Sequence, residues 1–368
     1  MAGLYIHVPF CARKCAYCDF YSLPDQAHLA GRYVDAVLRE AQRYRGQVCH
    51  ALYLGGGTPS LLGAGHLGRL LDNLGAVFDL SRLEEATIEV NPESATPELL
   101  ATARTKGIDR LSIGVQSLAD YELKSVGRVH SAAQAVAAIE RARQAGFDNI
   151  SADLIAGLPG QDWGSLRSSL AALLELGIGH LSLYMLSVEA GTPLFFNLPG
   201  DLPADDAQAE LFEQAGRLLA GAGFGHYEIS NFALPGRECR HNLNYWRGGE
   251  YAGLGPAAAS HLKGQRYRNR ADLHSYLENP TKVVEDVEQL DIKNKAAEEA
   301  MLRLRLLAEG LDMAVLAGRY GQANVREINS RLNEMARQGA VEIDGTVFRL
   351  AASRVLTSNP VFAAVLGD

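Results

Sequence analysis

Residues 5–20 read YIHVPFCARKCAYCDF: a short apolar strand, then a loop carrying Cys11, Cys15 and Cys18, then Phe20 where a fourth sulfur ligand would be expected. Three thiolates at i, i+4 and i+7 can converge on one centre from a short loop. A closed structural zinc site needs four ligands, usually from two CxxC knuckles. The chain has no second knuckle, so zinc would have to recruit Cys49 or His7. An iron–sulfur cluster is the alternative for soft thiolates, and with three cysteines one iron is left open to an outside ligand.

Outward from this loop, the chain repeats a strand–loop–helix pattern to about residue 230. The strands expected are Leu4–Val8, Ala51–Leu54, Thr87–Val90, Arg110–Gly114, Asn149–Leu154 and His180–Met185. Helices are expected between them, among them Ala133–Ala145 and Trp163–Leu176, with a later one at Asp205–Gly221. Alternating β and α elements imply an α/β fold with a parallel sheet, open or closed into a barrel. Residues 231–290 break the pattern: they are rich in Gly, Pro, Asn and His and read as a long irregular connecting segment. From residue 291 a helix-rich tail follows, with VEIDGTVFRL (341–350) as a hairpin, so residues 291–368 read as a small winged-helix-like accessory domain.

The 368 residues carry a formal net charge of −8 and no Lys/Arg run, which argues against nucleic acid as a partner. The start does not read as a signal peptide, and no apolar run reaches the ~18 residues of a membrane span. The expectation is a cytoplasmic protein with no transmembrane segment, for which docking on a membrane surface stays open. Five cysteines in that setting do not read as a disulfide framework; Cys49 reads as a buried apolar residue and Cys239 as a loop thiol.

CxxxCxxC after a first strand resembles the signature of the radical S-adenosylmethionine (SAM) superfamily. The resemblance implies a [4Fe–4S] cluster on Cys11, Cys15 and Cys18, with SAM on the open iron and cleaved to a 5′-deoxyadenosyl radical. Tyr17 before the third cysteine fits it, as does GGGTP (55–59), where Gly56, Gly57 and Thr58 would lie along SAM. More narrowly, the chain resembles the coproporphyrinogen-oxidase-like subgroup. YIHVPFC places Tyr5 at that subgroup's SAM-contacting tyrosine, IEVNPE (88–93) supplies Glu89, and SIGVQSL (112–118) supplies Gln116. VGRVH (126–130) supplies Arg128, suited to the SAM carboxylate, and SADLIAGLPGQ (151–161) supplies Asp153 for ribose hydroxyls. The fold so implied is a partial, open (β/α)6 barrel with a C-terminal domain.

Two features resemble the subgroup's heme-chaperone branch rather than its decarboxylating one. The decarboxylases typically read CxxxCxxCxC and carry an N-terminal extension, whereas Phe20 stands at the extra cysteine here and little chain precedes Tyr5. HNLNYW (241–246) matches the chaperone motif HNxxYW, with His241 as an axial heme ligand and Tyr245 and Trp246 as flat porphyrin contacts. Cys239 is an alternative thiolate ligand. The resemblance thus implies a heme-trafficking protein with apo-hemoproteins as acceptors and an electron donor for its cluster, compatible with a homodimer. Oxidative decarboxylation of coproporphyrinogen III is the alternative.

Overall fold

The computed structural model describes residues 1–367. Six strands, β1 (Ala2–Val8), β2 (Cys49–Gly56), β3 (Glu85–Val90), β4 (Arg110–Gln116), β5 (Asn149–Ala156) and β6 (His180–Met185), pair in parallel in chain order. Helices Ala30–Ala41, Gly63–Leu74, Pro97–Thr105, Ala132–Gln144 and Trp163–Glu175 lie in the successive crossovers, and Asp205–Gly221 follows β6. Two of these helices start on reciprocal capping boxes, at Ser131 and Asp162.

The two faces of the sheet differ in kind. Leu4, Ile6, Val8, Leu52, Leu54, Ile88, Leu111 and Ile113 are buried in one core with helix residues such as Val34, Leu67, Leu70 and Ile139. The alternate positions carry Tyr5, His7, Tyr53, Glu89, Ser112, Asp153 and Ser182. Because successive strand side chains point to opposite faces, this alternation gives an apolar outer face under the helices and a polar inner one. A parallel sheet covered by helices on both faces would read as unbroken apolar strands instead.

Residues 231–290 are not the irregular connector the sequence suggests. After β7 (Gly225–Glu228) they supply β8 (Asn231–Ala233), β9 (Tyr251–Leu254), β10 (Ala259–Leu262), β11 (Gln265–Asn269) and β12 (Val284–Gln289). All join the main sheet, in the order β12-β11-β10-β9-β1-β2-β3-β4-β5-β6-β8-β7. The two ends are different strands, so the barrel is open. Each of β8–β12 is only three to six residues long, too short for periodicity to show between Gly- and Pro-bearing turns.

Helices Ile292–Leu304, Met313–Tyr320, Gln322–Arg337 and Asn359–Leu366 form a second unit with its own apolar core. A small antiparallel sheet of β13 (Leu311–Asp312), β14 (Val341–Asp344) and β15 (Val347–Leu350) belongs to it, which fits the winged-helix-like expectation. Among the described residues no helix is long and apolar enough to cross a membrane.

The β9–β11 extension is pinned by one buried carboxylate. Glu40, on helix Ala30–Ala41, accepts from the Gly255 amide (2.9 Å), Asn269 Nδ2 (2.7 Å) and the Tyr276 hydroxyl (2.6 Å). Burial raises its pKa to about 6. Glu40→Ala strands three buried donors and is expected to cost about 3 kcal/mol, with Glu40→Gln milder because it retains an acceptor. Urea unfolding of the two variants checks this ranking; equal stability of Glu40→Ala and wild type would refute it.

Candidate functional site

The site lies at the carboxyl ends of β1–β6, where barrel folds place their chemistry. The exit of β1 is tied to the exit of β2 by backbone bonds: the Gly57 amide donates to Val8 O (2.8 Å) and the Thr58 amide to Phe10 O (2.6 Å). A Cβ on Gly57 would stand 2.6 Å from Phe10 O, and one on Gly56, whose φ is +103°, 2.5 Å from the His7 ring. The chain's own close approach therefore demands both glycines. From this junction the cysteine loop swings out and is anchored again where the Ala16 amide bonds Val126 O and the Leu194 amide bonds Ala16 O.

Cys11, Cys15 and Cys18 are free thiols that line one cavity of about 380 Å³. Thr58 Oγ1 donates to Cys11 Sγ at 3.6 Å and Arg128 Nη1 to Cys15 Sγ at 3.5 Å. Among the described residues no three His, Cys, Asp or Glu side chains gather around one point as a single metal ion requires. Three thiols around a shared space, two of them with a donor on the sulfur, fit the three-cysteine set of an open iron–sulfur cluster.

The other walls of this cavity carry most of the residues singled out from the sequence. Glu89 accepts from the Tyr53 hydroxyl (2.8 Å) and the Gly56 amide (3.2 Å). Burial raises its pKa to about 7, Tyr53 opposes the rise and nearby Asp153 adds to it. Asp153 accepts from Ser112 (3.1 Å), and burial raises its pKa as well. Gln116 sits at φ +64°, at an irregularity in the β4–β5 register, which turns its side chain into the cavity at a strained backbone. Arg128 donates to Asn91 Oδ1 (2.9 Å) and Gly114 O (2.7 Å), while its buried Nε has no partner. Tyr17 lines the same cavity. Open thiols, paired carboxylates and a buried guanidinium with an unused donor form a site whose chemistry fits an amino-acid-bearing cofactor on an iron–sulfur cluster.

Tyr5 lies elsewhere. It lines a second cavity, of about 710 Å³, which shares Gly56, Glu89, Asp19 and Phe20 with the first. Its hydroxyl is 3.1 Å from His7 Nδ1. The second cavity runs on over Tyr245, Trp246 and Tyr251 to helix Ile292–Leu304 of the C-terminal unit, which closes it with Lys295, Glu298 and Leu302.

HNLNYW makes up all but the first residue of a short helix, Arg240–Trp246, and its members part ways. Tyr245 and Trp246 face the second cavity. His241 does not: it is 1% exposed and stacks on Tyr53 with ring centroids 5.0 Å apart. Its Nε2 is 2.7 Å from the Tyr245 hydroxyl, and its Nδ1 is unpartnered, with Gly3 beside it. Burial drives the His241 pKa down to about 3, aided by His50 and Arg110. Cys239 is fully buried, not a loop thiol, and donates to Glu85 Oε1 at 3.5 Å. Burial pushes its thiol up to about 12, which removes it as an available thiolate.

Several residues of the two walls were not singled out from the sequence: Asn91, Ser112, Tyr184 and His261. Asn91 and Tyr184 sit at strand carboxyl ends, so position alone could have flagged them, and Ser112 falls on the polar inward alternation of its strand. His261 lies in the stretch read as irregular and had no such signal.

Residues 5–173 match the radical SAM superfamily. The chain is 38% identical to "Heme chaperone HemW" of Mycobacterium tuberculosis over 99% of this chain and 95% of that one. It is 34% identical to "Heme chaperone HemW" of Bacillus subtilis over the whole of both chains. Among solved structures, coproporphyrinogen III oxidase (HemN) from Escherichia coli superposes with a TM-score of 0.84 at 23% identity, over 100% of this chain and 89% of that one. That likeness establishes the shared fold.

The raised carboxyls give the protein a defined pH response. In the folded state Glu89 keeps a proton that the unfolded chain gives up, so stability falls as pH rises from about 4.5 to about 7, by up to about 3 kcal/mol for this group. Glu40 and Glu228, raised by burial to about 6 and about 7, act in the same direction. Glu89→Gln is expected to flatten the stability curve between about pH 5 and about pH 8, leaving the residual slope of the other two. Chemical unfolding across that range measures it; an unchanged slope would count against a buried, proton-holding Glu89.

Proposed function

The chain belongs to the HemW family within the radical SAM superfamily, and from that membership we propose that it is a heme chaperone, binding heme and delivering it to apo-hemoproteins such as respiratory cytochromes. The observation that carries this reading is the near full-length similarity to heme chaperones. It is joined by two local features on the same walls: Phe20 in place of a further cysteine, and Tyr245 and Trp246 of HNLNYW at a cavity of porphyrin-compatible size.

Cys11, Cys15 and Cys18 would hold a [4Fe–4S] cluster, and Gly56, Gly57, Thr58, Glu89, Gln116, Arg128 and Asp153 would line SAM, with Tyr5 and Tyr17 flanking. When bound, the cluster supplies one-electron reduction of SAM. The chain's own part is to hold and orient: Thr58 and Arg128 donate to the Cys11 and Cys15 sulfurs, while Tyr53 and Gly56 orient the Glu89 carboxyl. His241 is proposed as a ligand to heme iron only with helix Arg240–Trp246 displaced, because both its nitrogens face protein. An external electron donor, a cytoplasmic setting, a homodimer and peripheral contact with the membrane complete the reading.

Hemin titrated into the anaerobically reconstituted protein is expected to give a saturable Soret band, with no decarboxylation of coproporphyrinogen III. Turnover of coproporphyrinogen, or no saturable heme binding, would overturn the proposal. A triple Cys11/Cys15/Cys18→Ala variant is expected to lose the brown cluster absorbance and bound iron and sulfide while its far-ultraviolet dichroism stays as in wild type.

A further inference from the structure

Three histidines lie in or beside the larger cavity, and only one is free to bind a metal. His7 has both ring nitrogens engaged, Nδ1 by the Tyr5 hydroxyl at 3.1 Å and Nε2 by Tyr21 O at 2.8 Å. His241 is buried behind Tyr5, Tyr53 and Tyr245 and reaches no cavity wall. His261 stands on β10, where Ala259 and His261 point alternately into the cavity while Ser260 turns away to bond the Gly253 amide at 2.9 Å. Its imidazole is partly exposed, packs edge-on to Tyr251 at 6.2 Å, and makes no hydrogen bond among the described residues.

The charges of the same wall are also unequal. Arg266 is neutralised by Glu288 at 2.6 Å and by Glu298. Lys295 lies on the wall, against Gly264, with no carboxylate partner among the described residues. The cavity thus offers aromatic sides (Phe20, Tyr21, Tyr245, Trp246), one uncommitted imidazole and one uncommitted ammonium in about 710 Å³. A flat apolar macrocycle with a central metal and anionic arms is the ligand class that uses all three.

We propose that the larger cavity is the seat of the metalloporphyrin, with His261 as the axial ligand to iron and Lys295 pairing with a propionate. This rests on the heme-chaperone reading and adds a ligand that the HNLNYW motif does not contain. A neutral imidazole is a common iron ligand, and β10 presents this one without any movement of the buried helix.

The test uses the full-length, cluster-loaded protein with ferric heme and, separately, metal-free protoporphyrin IX. In His261→Ala, ferric heme is expected to bind about ten-fold or more weakly. The Soret maximum and ferric electron paramagnetic resonance signal of the imidazole-ligated wild type are expected to be lost and to return with added imidazole. Metal-free protoporphyrin is expected to bind this variant as it binds wild type, since no metal bond is lost. Lys295→Gln is expected to weaken both porphyrins and to leave binding of the protoporphyrin dimethyl ester unchanged. Heme bound by His261→Ala with wild-type spectrum and affinity overturns the assignment, as does loss of the imidazole signals in His241→Phe alone. Either result leaves the chaperone reading standing, whereas wild type that binds no heme removes that reading and this inference together.

Discussion

The short backbone junction between the exits of β1 and β2 is the constraint on which the rest of the site depends. Two amide–carbonyl bonds, Gly57 to Val8 and Thr58 to Phe10, hold the root of the cysteine loop against GGGTP. No side chain fits there: a Cβ on Gly57 would overlap Phe10 O, and one on Gly56 would overlap His7. The same junction delivers Thr58 to Cys11 Sγ and the Gly56 amide to Glu89, linking three strands through one turn. It also forms part of the partition between the two cavities, since Gly56 and Glu89 face both. A glycine run that could serve only a tight turn is here a structural requirement and a wall of both cavities.

Much of the barrel was legible because the chemistry of its inner face is written at period two. In IEVNPE, SIGVQSL and SADLI the polar residues fall on alternate positions, and those are the ones that face inward. All six parallel strands appear where the pattern places them, with ends shifted by up to two residues, as at Glu85–Val90 against the expected Thr87–Val90. The strands of residues 231–290 escaped because their identity is not local. β9 exists by pairing beside β1, with Gly3 opposite Tyr251, and Glu40 fixes that neighbourhood from a helix more than two hundred residues upstream. Periodicity in a window of four residues carries none of this information.

Depth was the other quantity out of reach. HNLNYW names residue types suited to a porphyrin, but one turn of helix puts His241 and Tyr245 on the same side, one above the other. The outer of the two, Tyr245, reaches the cavity, and its hydroxyl meets the imidazole behind it. Stacking against Tyr53 and Tyr5 then holds that ring inside the sheet, where losing solvent keeps it neutral. Cys239 follows the same logic one turn earlier: a polar-looking stretch becomes the buried start of a helix whose first amides are taken by Glu85. Which side chain of a motif meets the ligand depends on what lies behind the helix, and that is decided by strands the motif does not contain.

Phe20 stands where the two cavities meet. It is 65% exposed, a large apolar surface for a residue two places from Cys18, and it lines both cavities. Its phenyl ring extends the aromatic wall of Tyr21, Tyr245 and Trp246. The C-terminal unit completes that wall; within it buried Glu299 pairs with Arg303 (2.7 Å) and Arg319 (2.6 Å) and accepts from the Tyr320 hydroxyl (2.8 Å), and Arg303 also donates to Arg247 O (3.3 Å) beside the motif helix. Behind the ring face, Arg305 stacks on Trp246 at 5.1 Å and on Phe362 at 4.5 Å, tying the motif helix to the last helix of the chain. The larger cavity is therefore lined with rings on the barrel side and framed by charged side chains of the C-terminal unit on the other.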